Sequence, residues 1–135
     1  MRERALNLLG LMRKANALQI GENDTGAAAR AFKAKLVIVA SDASDNAVKR
    51  AKGFVYGRGI KLITVPFTKD EIAEHLGKSG CSMAAICDLG FADAFIKLLC
   101  ELCPDEYSEE KAYFEQRIAE MKKSRKASRE KQSRA

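Results

Sequence analysis

Histidine and proline are scarce, and long apolar runs are missing from this sequence of 135 residues. Leu36 to Ala40 is among the longest apolar runs, far short of the roughly 18 to 20 residues that cross a bilayer. The N-terminus lacks the apolar core of a signal peptide, so we expect a cytoplasmic protein with no membrane contact. Two prolines and nine glycines exclude a collagen-like chain, and a hydrophobic content of 47% is enough for one compact core.

Reactive side chains at the spacing of known catalytic motifs are also missing. His75, the sole histidine, has no obvious carboxylate or nucleophile at motif spacing, and a surface position on a helix accounts for it. Gly57-Arg58-Gly59 lacks the flanking residues of phosphate-binding loops and precedes a strand, so we interpret it as a turn. The sequence therefore predicts a protein that is not an enzyme and needs no cofactor.

The four cysteines, Cys81, Cys87, Cys100 and Cys103, all lie in the C-terminal half. Without a secretory signal we expect them to be reduced. Cys100 and Cys103 have the Cys-x-x-Cys spacing, but no second pair follows, so small buried helix residues explain them better than half a zinc site. A metal or redox role of this pair remains the third hypothesis for the function.

The positive charge is confined to the C-terminal end. Seven of the 24 basic residues and one of the 18 acidic residues lie in 121–135, so the remaining chain is balanced at 17 of each sign. A basic tail on a neutral body favours an anionic partner, most often nucleic acid, although such tails also serve only as solvated ends.

Hydrophobic periodicity predicts helices that alternate with short buried strands. The predicted elements are helices near 2–15, 21–33, 45–55, 68–77, 89–102 and from 108, and strands near 16–20, 35–41, 60–65 and 81–87. This order implies a three-layer α/β/α sandwich on a four-stranded mixed sheet, in which 35–41 is the central strand. Residues 1–103 form the domain, and 104–135 form a C-terminal helix and a basic tail, partly disordered from Lys122 onward.

The start of the second helix, Gly21 to Gly26, has the residues that nucleic-acid recognition needs. The amide of Asn23 can both donate to and accept from a base edge, and the carboxylate of Asp24 can accept from a base amino group. A helix N-terminus adds unpaired backbone N–H groups. The alternative is that Asn23 or Asp24 only caps the helix.

Five segments carry a family resemblance through their order and spacing. They are Ile20–Asp24, Lys33–Ala40 with Asp42–Ser44, Val65-Pro66 with Lys69–Ile72, Gly77-Lys78, and Asp88–Ala92. On these segments the chain, over about residues 3 to 102, resembles the kink-turn RNA-binding superfamily of ribosomal proteins, which includes the L7Ae and L30e proteins, and its bacterial YlxQ-like branch. The resemblance implies an α/β/α sandwich, no catalysis, and binding to RNA bent sharply at tandem sheared G·A pairs.

The resemblance also implies where RNA binds. In that family an Asn, a Glu and, one turn later, a Lys at the start of the second helix contact the G·A bases; they correspond to Asn23, Asp24 and Ala27. The loop before the last strand makes a second contact and corresponds to residues 78–82, while Thr25, Lys33 and Lys35 could reach phosphates. The predicted RNA-binding residues are Gly21, Glu22, Asn23, Asp24, Thr25, Ala27, Lys33, Lys35, Lys78, Ser79, Gly80 and Cys81.

Two alternatives stay open at this point. Lys33 and Lys35 also fit solvent-facing ends of a helix and a strand. The whole domain could be a protein-interaction module in which Phe114, Ile118 and Met121 form the apolar stripe of a docking helix. Under the leading hypothesis the protein is a monomer that binds structured RNA, with ribosomal or other proteins as further candidate partners.

Overall fold

A computed structural model describes residues 2–79 and 81–133, with side chains as far as Ser124. The chain forms six helices and four strands within these residues. In chain order they are α1 (Arg2–Lys14), β1 (Leu18–Ile20), α2 (Glu22–Arg30), β2 (Leu36–Val39), α3 (Asp45–Val55), β3 (Lys61–Thr64), α4 (Lys69–Leu76), β4 (Met83–Ile86), α5 (Leu89–Leu102) and α6 (Ser108–Ser133).

The four strands form one mixed sheet in the order β1-β4-β2-β3. Strand β2 pairs parallel with β3, whereas β4 pairs antiparallel with both β1 and β2. All four residues of β2 are buried, which confirms that the uninterrupted apolar segment is an interior strand covered on both faces.

Helices cover both faces of the sheet, so the predicted three-layer α/β/α sandwich is confirmed. Along β2 the side chains alternate between the two cores: Leu36 and Ile38 join the large core, and Val37 and Val39 the small one. The large core contains the apolar faces of α1, α4 and α5, whereas in the small core Ala28 of α2 and Ala47 and Ala51 of α3 pack with residues of β2 and β4. Alanine lets these two helices lie close to the sheet and to each other.

Three helix starts predicted from the sequence are confirmed by their hydrogen bonds. The Ser44 hydroxyl accepts from the backbone N–H of Ala47 at the start of α3. Thr68 and Glu71 form the predicted capping box of α4. At the start of α5, the Asp88 carboxylate accepts from the backbone N–H group three residues further on.

The C-terminal segment differs from the prediction in two ways. Helix α6 continues to Ser133, where we expected disorder from Lys122, because Lys, Arg, Glu, Gln and Ala favour helix even without a packed apolar face. The start of the C-terminal segment also packs more closely against the domain than the predicted apolar stripe of Phe114, Ile118 and Met121 implied, since Tyr107 and Phe114 are 4% and 0% exposed in the large core. None of the described helices is long and apolar enough to cross a membrane.

Candidate nucleic-acid interface

The N-terminus of α2 is anchored to the sheet by backbone rather than capped by a side chain. Gly21 has a φ of 93°, which favours glycine, and its N–H donates to the Met83 carbonyl of β4 at 3.0 Å. No side chain of the described residues caps this helix, so the alternative that Asn23 or Asp24 serves as its cap is wrong. The first-turn N–H groups of α2 therefore remain available to an acceptor from outside.

Helical spacing divides the predicted contact residues of α2 between two faces. Asn23 and Asp24 are exposed on the outer face of α2, and Ala27 is exposed one turn after them. Thr25 is 0% exposed, so the expectation that it reaches a phosphate is wrong. Gly26, beside it, packs against α3: a Cβ at Gly26 would lie 2.8 Å from the Phe54 ring.

An open groove of about 480 Å³, the loop groove, joins α2 to the loop before β4. Glu22 of α2 and Ser79 and Ser82 of the loop line it, so the tertiary structure brings the two predicted contact regions together. Arg50 and Lys69 line its walls together with Glu22 and Asp70, so the basic and acidic residues of the groove are equal in number. The Arg50 guanidinium donates to the Glu22 carboxylate at 2.7 Å, which joins α3 to the tip of α2.

A second groove of about 430 Å³, the helix groove, runs along the other side of α2. Its lining includes Gln19 of β1, Asp24 and Ala27 of α2, Lys33 and Cys87. Burial raises the pKa of the Cys87 thiol, and the positive charges of Lys33 and Lys35 oppose that rise. The thiol is therefore neutral near pH 7 and adds no negative charge to the helix groove. The positive charge of the nearby lysines is thus not offset by this thiol.

The remaining predicted residues differ in accessibility. Lys78 and Ser79 are exposed and Lys35 is half-buried, whereas Gly80 lies outside the described residues. Cys81 is 3% exposed and its thiol donates to the Lys78 carbonyl, so its side chain is a core group, and the prediction that it contacts RNA is wrong. Cys81 lies in the turn two residues before β4, and its side chain is part of the large core.

Sequence reasoning missed four residues that line the two grooves: Asn16, Gln19, Arg50 and Lys69. Asn16 lies in the turn between α1 and β1, the others are polar residues of amphipathic elements, and nothing in the local pattern distinguishes them from other solvent-facing side chains. Their contribution depends on where α3, α4 and β1 lie relative to the α2 tip, which is a tertiary property.

The Cys-x-x-Cys pair spans the C-terminal end of α5. Cys100 lies in the last turn and its thiol donates to the Tyr107 carbonyl at 3.5 Å, and Cys103 follows the last residue of the helix. Burial raises the pKa of the Cys100 thiol, the opposite of what a reactive thiolate requires. Within residues 2–79 and 81–133, no three His, Cys, Asp or Glu side chains converge on a common point where a metal could bind.

The fold and this site define a small α/β/α domain whose second helix presents an uncapped N-terminus between two open grooves. Residues 3–96 match the family described as ribosomal protein L7Ae/L30e/S12e/Gadd45, and the chain belongs to this family. The resemblance expected from the sequence is thereby confirmed.

Comparisons with individual proteins agree with this family. The chain is 38% identical over 91 residues to the RNA-binding protein YlxQ of Enterococcus faecium, covering 67% of this chain and 86% of the relative. A Bacillus halodurans protein of unknown function is similar in structure, with a TM-score of 0.64, 26% identity, and 70% and 95% of the two chains covered. The 15.5 kD RNA binding protein of Giardia lamblia shares the fold at a TM-score of 0.53 and 21% identity, with 75% and 82% covered.

Proposed function

We propose that this protein binds RNA, and that it recognises a sharply bent, kink-turn-type segment of ribosomal or regulatory RNA through the N-terminus of α2. Membership of the L7Ae/L30e/S12e/Gadd45 family and the identity to an RNA-binding protein support the RNA. The observation that carries the proposal is the exposure of Asn23 and Asp24 on an uncapped helix start between two grooves. The function is binding, without a chemical step.

The exposed groups suit purine edges in a distorted duplex. The Asn23 carboxamide offers a donor and an acceptor on one plane, and the Asp24 carboxylate accepts from an amino group. An intact A-form major groove is too narrow for a helix, whereas a bend that widens it admits the tip of α2. The unpaired N–H groups of the first turn add a positive end for a phosphate or a base acceptor.

The two grooves provide room for RNA on either side of the α2 tip. In the loop groove Lys69 supplies a cation that takes part in none of the described ion pairs, although Asp70 beside it also lines the groove, and Arg50 shares its charge with Glu22. In the helix groove Lys33 is exposed. These cations lie where the two strands of a bent duplex would approach, and phosphate contacts of this kind add affinity without sequence preference.

An asparagine substitution tests the proposal. Asn23→Ala removes the carboxamide and leaves the grooves intact, so we expect affinity for a kink-turn RNA to fall by about 5- to 100-fold, the range of one good base contact. Affinity for an unbent duplex of the same length should change by less than two-fold, because that RNA is held by phosphate contacts alone. Electrophoretic-shift titrations of both RNAs measure the two effects.

Asn7→Ala is the matched control. Asn7 is an exposed asparagine on α1, in the layer on the opposite side of the sheet, so the substitution makes the same chemical change away from α2. We expect it to leave both affinities at the wild-type value. Equal losses on bent and unbent RNA for Asn23→Ala would contradict recognition of the bend.

A second candidate function is protein interaction on the same fold, and one observation favours it. Ala27 stands where relatives place a base-contacting lysine, so part of the binding surface lacks a charged group. The apolar stripe of Phe114, Ile118 and Met121 offers less surface to a partner than the sequence suggested, however, because Phe114 is buried against the body of the domain. Co-purification of a protein partner that survives nuclease treatment, together with no measurable RNA affinity, would favour this second function.

A further inference from the structure

A third groove of about 180 Å³ lies at the opposite end of α2 from Asn23. The segment after α2, the turn before β3 and helix α6 form its walls, and we name it the Phe32 groove. Its main residues are Phe32, Lys35, Arg58, Ile60, Tyr113 and Arg117. Because Tyr113 and Arg117 belong to α6, this groove needs a part of the chain that lies beyond the family match at 3–96.

Phe32 is exposed at a backbone position that disfavours it. It has a φ of 58°, in the left-handed region where glycine usually follows a helix, and 65% of its surface is exposed. Its N–H donates to the Ala29 carbonyl at 3.1 Å, and that of Lys33 to the Ala28 carbonyl at 2.9 Å. These bonds hold the backbone in place. The Phe32 ring points into solvent, and packing in the core does not explain why an aromatic residue stands here.

The Phe32 groove is positively charged. Lys35, Arg58 and Arg117 line it, and none of its described lining residues is acidic. One guanidinium nitrogen of Arg58 donates to the Phe54 carbonyl at 3.1 Å, so a neutral group fixes its position and its charge stays uncompensated. The three ion pairs of the described side chains involve other residues.

We propose that the Phe32 groove is a second RNA-contact surface, which takes an unpaired segment. A base stacks on the Phe32 ring, while Lys35, Arg58 and Arg117 contact the adjoining phosphates. An exposed aromatic ring beside several cations and no carboxylate is the arrangement that binds single-stranded RNA. Bases within a duplex are already stacked on one another, so the ring selects a segment that is not paired.

The groove is placed to continue the surface described above. Helix α2 has nine residues and is about 13 Å long at about 1.5 Å per residue. Asn23 and Phe32 are therefore separated by a distance that about two to four nucleotides of RNA can span. Lys33, next to Phe32 in the chain, lines the helix groove, so the two grooves have neighbouring residues in their walls. The idea that one RNA occupies all three grooves rests on the proposed function, whereas the binding of an unpaired segment does not.

A fluorescein-labelled octauridylate tests the Phe32 groove by itself, in anisotropy titrations of the full chain at low salt. Phe32→Gly removes the ring and supplies the residue that suits the backbone, so the fold is retained and the melting temperature should not fall. We expect its affinity for octauridylate to fall at least about five-fold, which corresponds to the removal of one stacked base. Arg58→Gln and Arg117→Gln should each weaken binding at least about two-fold.

Tyr56→Gly and Arg4→Gln are the matched controls. Tyr56 is 85% exposed and lies outside the Phe32 groove, and Arg4 is exposed on α1 in the opposite layer. Both variants should bind octauridylate like the wild type. Undiminished binding by Phe32→Gly, or an equal loss in Tyr56→Gly, would overturn the proposal and leave the basic tail as the source of affinity.

The outcome is separable from that of the proposed function. Asn23→Ala should bind octauridylate like the wild type, and Phe32→Gly should bind a blunt-ended kink-turn RNA like the wild type. An effect of Phe32→Gly on octauridylate with no effect of Asn23→Ala on the kink-turn supports the groove and contradicts bend recognition. The reverse result contradicts the groove alone.

Discussion

The hydroxyl of Tyr107 donates a hydrogen bond to the Thr64 carbonyl oxygen at 2.6 Å. This bond ties the segment between α5 and α6 to the edge strand β3, more than 40 residues earlier in the chain. The Tyr107 side chain is buried, and burial raises the pKa of its hydroxyl to about 12. The C-terminal segment is therefore held by a specific polar contact as well as by apolar packing.

Replacing Tyr107 with phenylalanine should lower the free energy of unfolding by about 1 kcal/mol, the usual contribution of one hydrogen bond. The ring still fills its place in the core, so the loss comes from the hydroxyl alone. Urea denaturation followed by circular dichroism measures it. Tyr113→Phe, whose hydroxyl takes part in none of the described hydrogen bonds, is the control and should change stability by less than half as much.

The raised pKa of Tyr107 makes stability depend on pH above 10. Between pH 10 and 12 the unfolded chain releases the Tyr107 proton while the folded protein retains it, so folding is progressively disfavoured as the pH rises. The stability advantage of the wild type over Tyr107→Phe should therefore be full below pH 10 and shrink toward pH 12. A difference that stays constant from pH 8 to 12 would show that the hydroxyl titrates normally in the folded protein.

Two glycines in helices should respond to alanine in opposite directions. Gly53 in α3 has open space around its Cβ position, so Gly53→Ala should stabilise by about 0.5–1 kcal/mol through helix propensity. At Gly26 a Cβ would meet the half-buried Phe54 ring, so Gly26→Ala should destabilise by about 1–2 kcal/mol. Thermal unfolding compares both with the wild type, and a stabilising Gly26→Ala would show that the ring moves away at little cost.

Ala27→Lys should raise the affinity for a kink-turn RNA. Ala27 is exposed one turn after Asn23, so a lysine there adds a positive charge at a position of the proposed interface that lacks one. We expect a gain of about 5- to 100-fold in shift titrations, with at most a small gain on an unbent duplex.

Ala31→Lys adds the same charge one turn further along α2, at another exposed position that lines the helix groove. It should raise the affinities for bent and unbent RNA by the same small factor. If the two lysine variants behave alike, position 27 contributes only general electrostatic attraction.

The basic residues at the end of α6 should set the salt dependence of RNA binding. Replacing the seven Lys and Arg residues between 122 and 134 with glutamine retains the chain length and helix propensity but removes the positive charge. The slope of log affinity against log salt should become shallower, by about 0.9 for each duplex phosphate that the variant no longer neutralises. Parallel slopes for variant and wild type would indicate that this segment does not touch RNA.

Local sequence signals predicted most of the fold. Ser44, Thr68 and Asp88 mark helix starts because each side chain can accept from a backbone N–H group three residues further on, an interaction within one turn. The apolar segment Leu36–Val39 identified the interior strand for the same local reason. The site proposed at Asn23 and Asp24 was predicted because helix-start chemistry and the family motif coincide there.

The errors fall where a side chain's role depends on distant neighbours. Thr25 is polar and next to the site, but the folded domain buries its side chain completely. Cys81 lies in the predicted contact loop, yet its thiol is buried in the large core. Arg50 and Lys69 reach the loop groove only because α3 and α4 are brought beside the α2 tip.

The sequence by itself determined the order of helices and strands and the family, and it led to the proposed recognition site at the tip of α2, because these depend on interactions within a few residues or on a motif. Only the tertiary structure decided which polar groups face outward, which grooves flank α2, and that Phe32, Arg58 and Arg117 meet across three distant segments. Burial and charge density are sums over neighbours that the chain brings together on folding, and no local pattern carries that information.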